Sequence, residues 1–409
     1  SDALIVSGGR SIAREAMMAR ARRAAAGFAA CGVGAGDCVA LLLRNDFPFL
    51  EASIAATMLG AYAVPINWHW KPDEVAYLLD DSDAKVVVVH ADLLPLLAET
   101  PAGIRVLVVP TPPEAREAYR LPDAAPAAGG EDWDAWLSAQ PEWSGPPQPP
   151  RESMIYTSGT TGRPKGVRRQ PATAGHMAAM ARNRVALYGL RPGIRALVPG
   201  PLYHAAPNAF GVRGAQLADL TVLMPRFDAE EMLALIERHR IDTLFVVPTM
   251  MVRLMRLPEE TRRRYDVSSL RHVVHAAAPC PPEVKRAMIA WWGPIILEFY
   301  GGTDLGAPVA CTSEEWLAKP GTVGRLLEGA TLKILDDEGR ECPPGVPGEI
   351  FASVDYLPDF TYHKRDEERR KVERDGLITV GDVGYLDEDG YLFLCDRKRD
   401  MVISGGVNI

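Results

Sequence analysis

From residue 11 onward the apolar positions follow two alternating rhythms. REAMMARARRAAAGFAACG has helical spacing and a stop at Gly32, and the continuously apolar CVALLLRN after it predicts a short buried strand. FPFLEASIAATMLG then predicts a helix ending on Gly60, and AVPIN a strand. PDEVAYLLDDSD opens on proline and acids, as the first turns of helices do. KVVVVH and RVLVVP are unbroken β-branched runs, the pattern of strands covered on both faces. Short strands alternating with helices predict a parallel sheet.

PEWSGPPQPP (141–150) interrupts this order, and the alternation resumes beyond it with TVLMP, a helix over 228–239, TLFVVP, a helix over 249–257, RHVVHAA, a helix over 281–292 and PIILEFYG. After about residue 310 the text changes to short strands between glycine turns, GTVGRLLEGATLKILDDEG, GEIFASV and GYLFLCDRK, with one possible helix at 364–373. The expected fold is α/β, with parallel sheets covered by helices in an αβαβα layering, plus a small β-barrel subdomain. The expected divisions are an α/β unit over 1–150, a second over 151–309 and a β-rich unit over 310–396.

At 409 residues, 47% hydrophobic and 24% charged, the chain suits two or three packed subdomains and not a disordered tract. A net charge of −8 leaves no general footprint for nucleic acid. The basic runs at 262–264 and 369–371 adjoin Glu259, Glu260, Glu367 and Glu368, so they predict solvated mixed-charge faces. Six scattered cysteines contain no CxxC pair and no zinc spacing, which points to reduced thiols in a cytoplasmic protein. SDALIVSGGRS carries no signal pattern, and no apolar run approaches the roughly 20 residues that span a bilayer.

The densest chemistry is YTSGTTGRPKG, Tyr156 to Gly166. Glycines admit close backbone approach to an anion, Ser and Thr hydroxyls can surround it, and Lys165 adds a point charge. The segment equally suits a surface loop. It is not a Walker loop, because Pro164 stands where the second glycine of that motif would fall after Gly159.

YTSGTTGRPKGV resembles the signature loop of the adenylate-forming enzymes, a family that includes acyl-CoA synthetases, luciferases and peptide-synthetase adenylation domains. PLYHAAP (201–207), EFYGGTD (298–304) and TVGDVGYLDEDGYLFLCDRKRDMVISGGVNI (379–409) match further motifs in the family's order. The resemblance implies that a carboxylate is joined to the α-phosphorus of ATP with release of pyrophosphate, and that the acyl group then passes to coenzyme A. ATP, magnesium, coenzyme A and a small carboxylic acid are the implied cofactors and partners, with no nucleic acid. A homodimer is kept as an expectation.

By the same resemblance Thr157, Ser158, Gly159, Thr160, Thr161, Gly162 and Lys165 hold the β- and γ-phosphates. Ala277, Ala278, Pro279, Phe299, Tyr300, Gly301 and Gly302 border the adenine, with Tyr300 stacked on it; the plainer reading of Tyr300 is a core aromatic. Thr303 and Asp304 meet the α-phosphate, and Asp304 is the expected magnesium ligand, with no metal role for residue 158. Asp382 accepts the ribose hydroxyls, or else is a turn residue, and Arg397 reaches ribose and phosphate. His204 gates the acyl pocket, which Asn208, Gly211, His275, Gly301 and Gly302 line.

Three departures stand out. The family usually has glutamate where this chain has Asp304, and its closing GGENI is here GGVNI. Residues 397–409 read as a hinge and the start of a C-terminal domain, with the expectation that the domain and its catalytic lysine lie beyond Ile409. Glycine and alanine around the pocket favour a large apolar acid, fatty or polycyclic, over an aryl acid; at Gly301 the simpler reading is a turn. An adenylation domain loading a carrier protein and a non-catalytic adenylate-binding module are the alternatives.

Overall fold

The computed structural model describes residues 2–123, 129–158 and 162–395, with the backbone of 403–404 and 407–408. A five-stranded sheet runs in the order Tyr62–Pro65, Cys38–Leu42, Ala84–His90, Arg105–Val109, Glu131–Asp132, every pair parallel. Cys38–Leu42 is buried along its whole length, as an unbroken apolar run requires when helices cover both faces. The helices Arg14–Ala30 and Phe47–Met58 pack on this sheet and on each other; Phe28 of the first meets Trp133 and Trp136.

A nine-stranded sheet carries the second half. Its six central strands, Ile296–Gly302, His272–His275, Thr243–Val246, Arg195–Val198, Leu220–Leu223 and Leu4–Ser7, are parallel neighbours in that order. Antiparallel strands close both edges: Gly306–Cys311 then Arg325–Leu326 at one, Arg10–Ala13 at the other. A smaller antiparallel sheet follows, in which Ala330–Leu335 and Val383–Leu386 both pair with Gly348–Val354.

The sheets do not divide where the composition changes. Leu4–Ser7 pairs with Leu220–Leu223, so the first strand belongs to the second α/β layer. Lys165–Arg169 pairs with Ile155–Thr157 on one side and Phe360–Tyr362 on the other, joining the phosphate-loop region to the β-rich region. The helices Ala174–Tyr188 and Ala205–Leu217 lacked a distinct period in the sequence and complete the cover of the large sheet. Among the described residues no helix is long and apolar enough to cross a membrane.

Candidate active site

The glycine-rich segment is the tip of a β-hairpin, with Thr157 and Lys165 the last paired residues of its two strands. Its stem is fixed from outside: the Tyr156 hydroxyl donates to Asp81 Oδ2 at 2.8 Å, and the Tyr77 hydroxyl to the Pro164 carbonyl at 2.8 Å. Ser158 is exposed and Gly162 has φ +126° with open space around it; Gly159, Thr160 and Thr161 lie outside the described residues.

Lys165 Nζ lies 2.7 Å from Glu368 Oε2 and 4.6 Å from the centre of the Tyr362 ring. Its hydrogen bond holds the Glu368 carboxyl below the ordinary glutamate range. The Tyr362 hydroxyl hydrogen-bonds Asp304 Oδ2, so the loop lysine and the expected magnesium ligand flank one tyrosine. Burial raises the Asp304 pKa, against the opposing hydrogen bond from Tyr362 and the charges of Arg169 and Lys165. Arg169 Nη2 donates to the carbonyls of Thr303 (2.7 Å) and Asp304 (3.0 Å), fixing the turn that carries both. A carboxylate oxygen with a hydroxyl beside it suits a hard cation that takes few protein ligands and completes its shell with phosphate and water.

Strand Ile296–Gly302 sends successive side chains to opposite faces. Tyr300 goes toward the β-rich region, where its hydroxyl donates to Asp382 Oδ2 at 2.7 Å. Phe299 goes the other way, against Tyr188 and Phe245, with ring centres 5.5 and 6.5 Å apart. Phe299 therefore lines the cavity, on the face of the strand opposite Tyr300. Ala277 stands on the loop after His272–His275 at φ +80°, a left-handed conformation costing a non-glycine residue about 1–2 kcal/mol. It lines the cavity too, while Ala278 and Pro279 are exposed beside it.

The cavity has a volume of about 610 Å³ and runs from Thr303 and His204 to the helix Ala174–Tyr188. His204 precedes helix Ala205–Leu217, its ring 4.4 Å from that of Tyr203, which stands edge-on to Trp68 at 4.7 Å. Desolvation and then the charge of His69 lower the His204 pKa, which favours the neutral imidazole. Asn45 holds this corner: its side chain donates to the carbonyls of Gly200 and Met224 and accepts from the Leu202 amide. Nothing in the apolar period around residue 45 marks that role. Asn208 lines the cavity with both polar ends spent, accepting from Ser153 Oγ and donating to the Leu202 carbonyl.

Three expectations for the pocket change. A Cβ on Gly301 would lie 1.9 Å from the Gly306 carbonyl oxygen, so backbone crowding, and not acyl room, demands glycine there. Gly302 is the open one, with nothing within 4 Å of a Cβ. Gly211 faces Leu202, 2.6 Å from a Cβ, and is a helix–strand packing position off the cavity. His275 is fully buried, with Nε2 3.8 Å from Glu298 Oε2, and touches no cavity surface. Burial, then the nearby Lys285 ammonium, push its pKa well down. Arg397 lies outside the described residues.

The AMP-binding enzyme family matches residues 1–357. Among curated relatives, the long-chain-fatty-acid–CoA ligase FadD13 of Mycobacterium tuberculosis is 29% identical, over 96% of this chain and 75% of that enzyme. A feruloyl-CoA synthase from an Amycolatopsis species is 32% identical, over 98% of this chain and 77% of that one. Among solved structures, the anthranilate CoA ligase AuaEII in complex with anthranoyl-AMP superposes with a TM-score of 0.86 at 25% identity, over 100% of this chain and 77% of that one.

Proposed function

The chain belongs to the AMP-binding enzyme family, whose acid–CoA ligases use ATP, magnesium and coenzyme A, and on that premise we propose how its own residues divide the work of activating a carboxylic acid. The carrying observation is convergence. Lys165, the Thr303–Asp304 turn and the Tyr300–Asp382 pair come from chain segments far apart; Lys165 and Asp304 meet through Tyr362, Tyr300 meets Asp382, and Thr303 of the same turn lines the apolar cavity.

In the first half-reaction a carboxylate oxygen attacks the α-phosphorus of ATP and pyrophosphate leaves. In the second a coenzyme A sulfur, giving up its proton, attacks the acyl carbon and AMP leaves. Both reactants of the first step are anions, so the site works by positioning them and offsetting charge. Lys165 and the hairpin hydroxyls hold the phosphates that depart. Tyr300 covers the adenine and Asp382 accepts from the ribose. Asp304 would hold magnesium, which supplies charge neutralisation when bound. His204, kept neutral, closes the passage between nucleotide and acid without adding charge to it.

The acid is large and mostly apolar. Met180, Leu187, Phe245, Met250 and Phe299 supply the walls, and about 610 Å³ far exceeds a two-carbon acid's needs. Pyrophosphate release with graded acids, beside calorimetry with acyl-sulfamoyl-adenosines, tests the proposal. Release should rise from acetate to ten-carbon and polycyclic acids. No release with any acid together with no mimic binding would overturn it, and best turnover of acetate would overturn the acid's size.

A further inference from the structure

The helix Ala174–Tyr188 faces the cavity with residues 180, 183, 184 and 187, one stripe of its surface. Met180 and Leu187 suit an apolar acid, but Asn183 and Arg184 between them do not. Arg184 Nη2 lies 3.0 Å from Glu152 Oε1, and the Arg184 side chain is only 20% exposed. Among the described residues its other N–H donors meet no protein acceptor, and the Asn183 amide makes no hydrogen bond. A guanidinium has five N–H donors, and leaving donors unspent on a partly desolvated wall costs free energy that an accepting ligand would recover.

Local charge points the same way. Arg169, also on the wall, donates to the carbonyls of Pro358, Thr303 and Asp304. Arg213 bonds Gln216 and has its pKa lowered by burial and then by Arg184. Glu152 is thus the carboxylate that answers three guanidiniums among these neighbours.

We infer that the preferred acid is not a plain hydrocarbon chain but carries an acceptor oxygen on its body, apart from the reacting carboxyl, and that Arg184 and Asn183 select for it. The inference rests on the cavity being the acyl site. A site built to hydrogen-bond a substrate group rejects the analogue lacking it more strongly than an apolar wall rejects a misfit.

Calorimetry with three sulfamoyl-adenosine mimics of matched length tests this: decanoyl, 9-oxodecanoyl and 9-carboxynonanoyl. At least one oxygenated mimic should bind roughly tenfold or more tightly than decanoyl, as one hydrogen bond to a charged group provides. The ketone winning would identify a neutral acceptor, the carboxylate an anionic one. Arg184→Met and Asn183→Leu should each shrink that ratio, with AMP binding reporting that the variants fold. Decanoyl binding as tightly as both others, or a ratio unmoved in both variants, would overturn the inference while leaving the acyl-adenylate reading intact. No binding of any mimic would overturn that reading and this inference together.

Discussion

The Tyr300 hydroxyl donates to Asp382 Oδ2 at 2.7 Å across 82 residues of sequence. One comes from the last of the parallel strands in the nine-stranded sheet, the other from the turn before a strand of the antiparallel sheet. The bond ties the residue proposed to cover adenine to the one proposed to hold ribose, so the nucleotide would lie across two subdomains.

That tie should be measurable as coupling. Tyr300→Phe keeps the ring and removes the bond, and should weaken an acyl-adenylate mimic by about 3- to 10-fold. Asp382→Ala should weaken ATP and mimic alike, and by more. The double variant should lose less than the sum, with an interaction of about 0.5–3 kcal/mol in a calorimetric cycle. Strict additivity would mean the two residues act separately.

Lys165 has a narrower task. It faces Glu368 and the Tyr362–Asp304 pair, on the side where departing phosphates would lie. Lys165→Ala should therefore weaken ATP binding by roughly tenfold, as loss of a charged hydrogen bond does, and leave the acyl-AMP mimic nearly unaffected. Equal loss for both ligands would place Lys165 elsewhere in the site.

The adjacent glycines should separate stability from specificity. Gly301→Ala sets a methyl against a backbone oxygen that cannot swing aside, and should cost at least about 3 kcal/mol in urea unfolding. Gly302→Ala meets open space and should stay within about 1 kcal/mol of the parent while reducing turnover of the bulkiest acids. Comparable unfolding midpoints for the two variants would contradict the geometry.

His275 should give stability a pH signature. Burial and Lys285 keep it neutral in the fold, whereas the unfolded chain takes up a proton below about pH 6.5. Unfolding free energy should thus fall on acidification through that window, by up to about 1.4 kcal/mol per pH unit. Glu298, whose carboxyl burial raises, contributes with the opposite sign. The slope is therefore read as wild type minus His275→Asn, and an unchanged slope in the variant would show that the imidazole titrates normally.

Much of this molecule was legible in its sequence because the signals are local. The unbroken runs CVALL and KVVVVH became buried parallel strands, and the acid-opened segment became the helix Pro72–Asp81. The motif from Tyr156 to Gly166 pointed to the family because its small residues, hydroxyls and one lysine stand in one contiguous stretch. The directions of Phe299 and Tyr300 were not legible: the letters give neighbours, and only the strand's pleat sends one to the cavity and the other to Asp382.

What the sequence alone determined is the order of elements and the family, since each is written within a dozen or so contiguous residues. Tertiary structure alone decided which glycine makes room and which merely fits, that His275 serves the core, that Asn45 braces the His204 corner, and that Arg184 turns unspent donors into an apolar cavity. These depend on distances between residues tens to hundreds of positions apart. Such distances are set by strand pairing and close packing, and no local period encodes them.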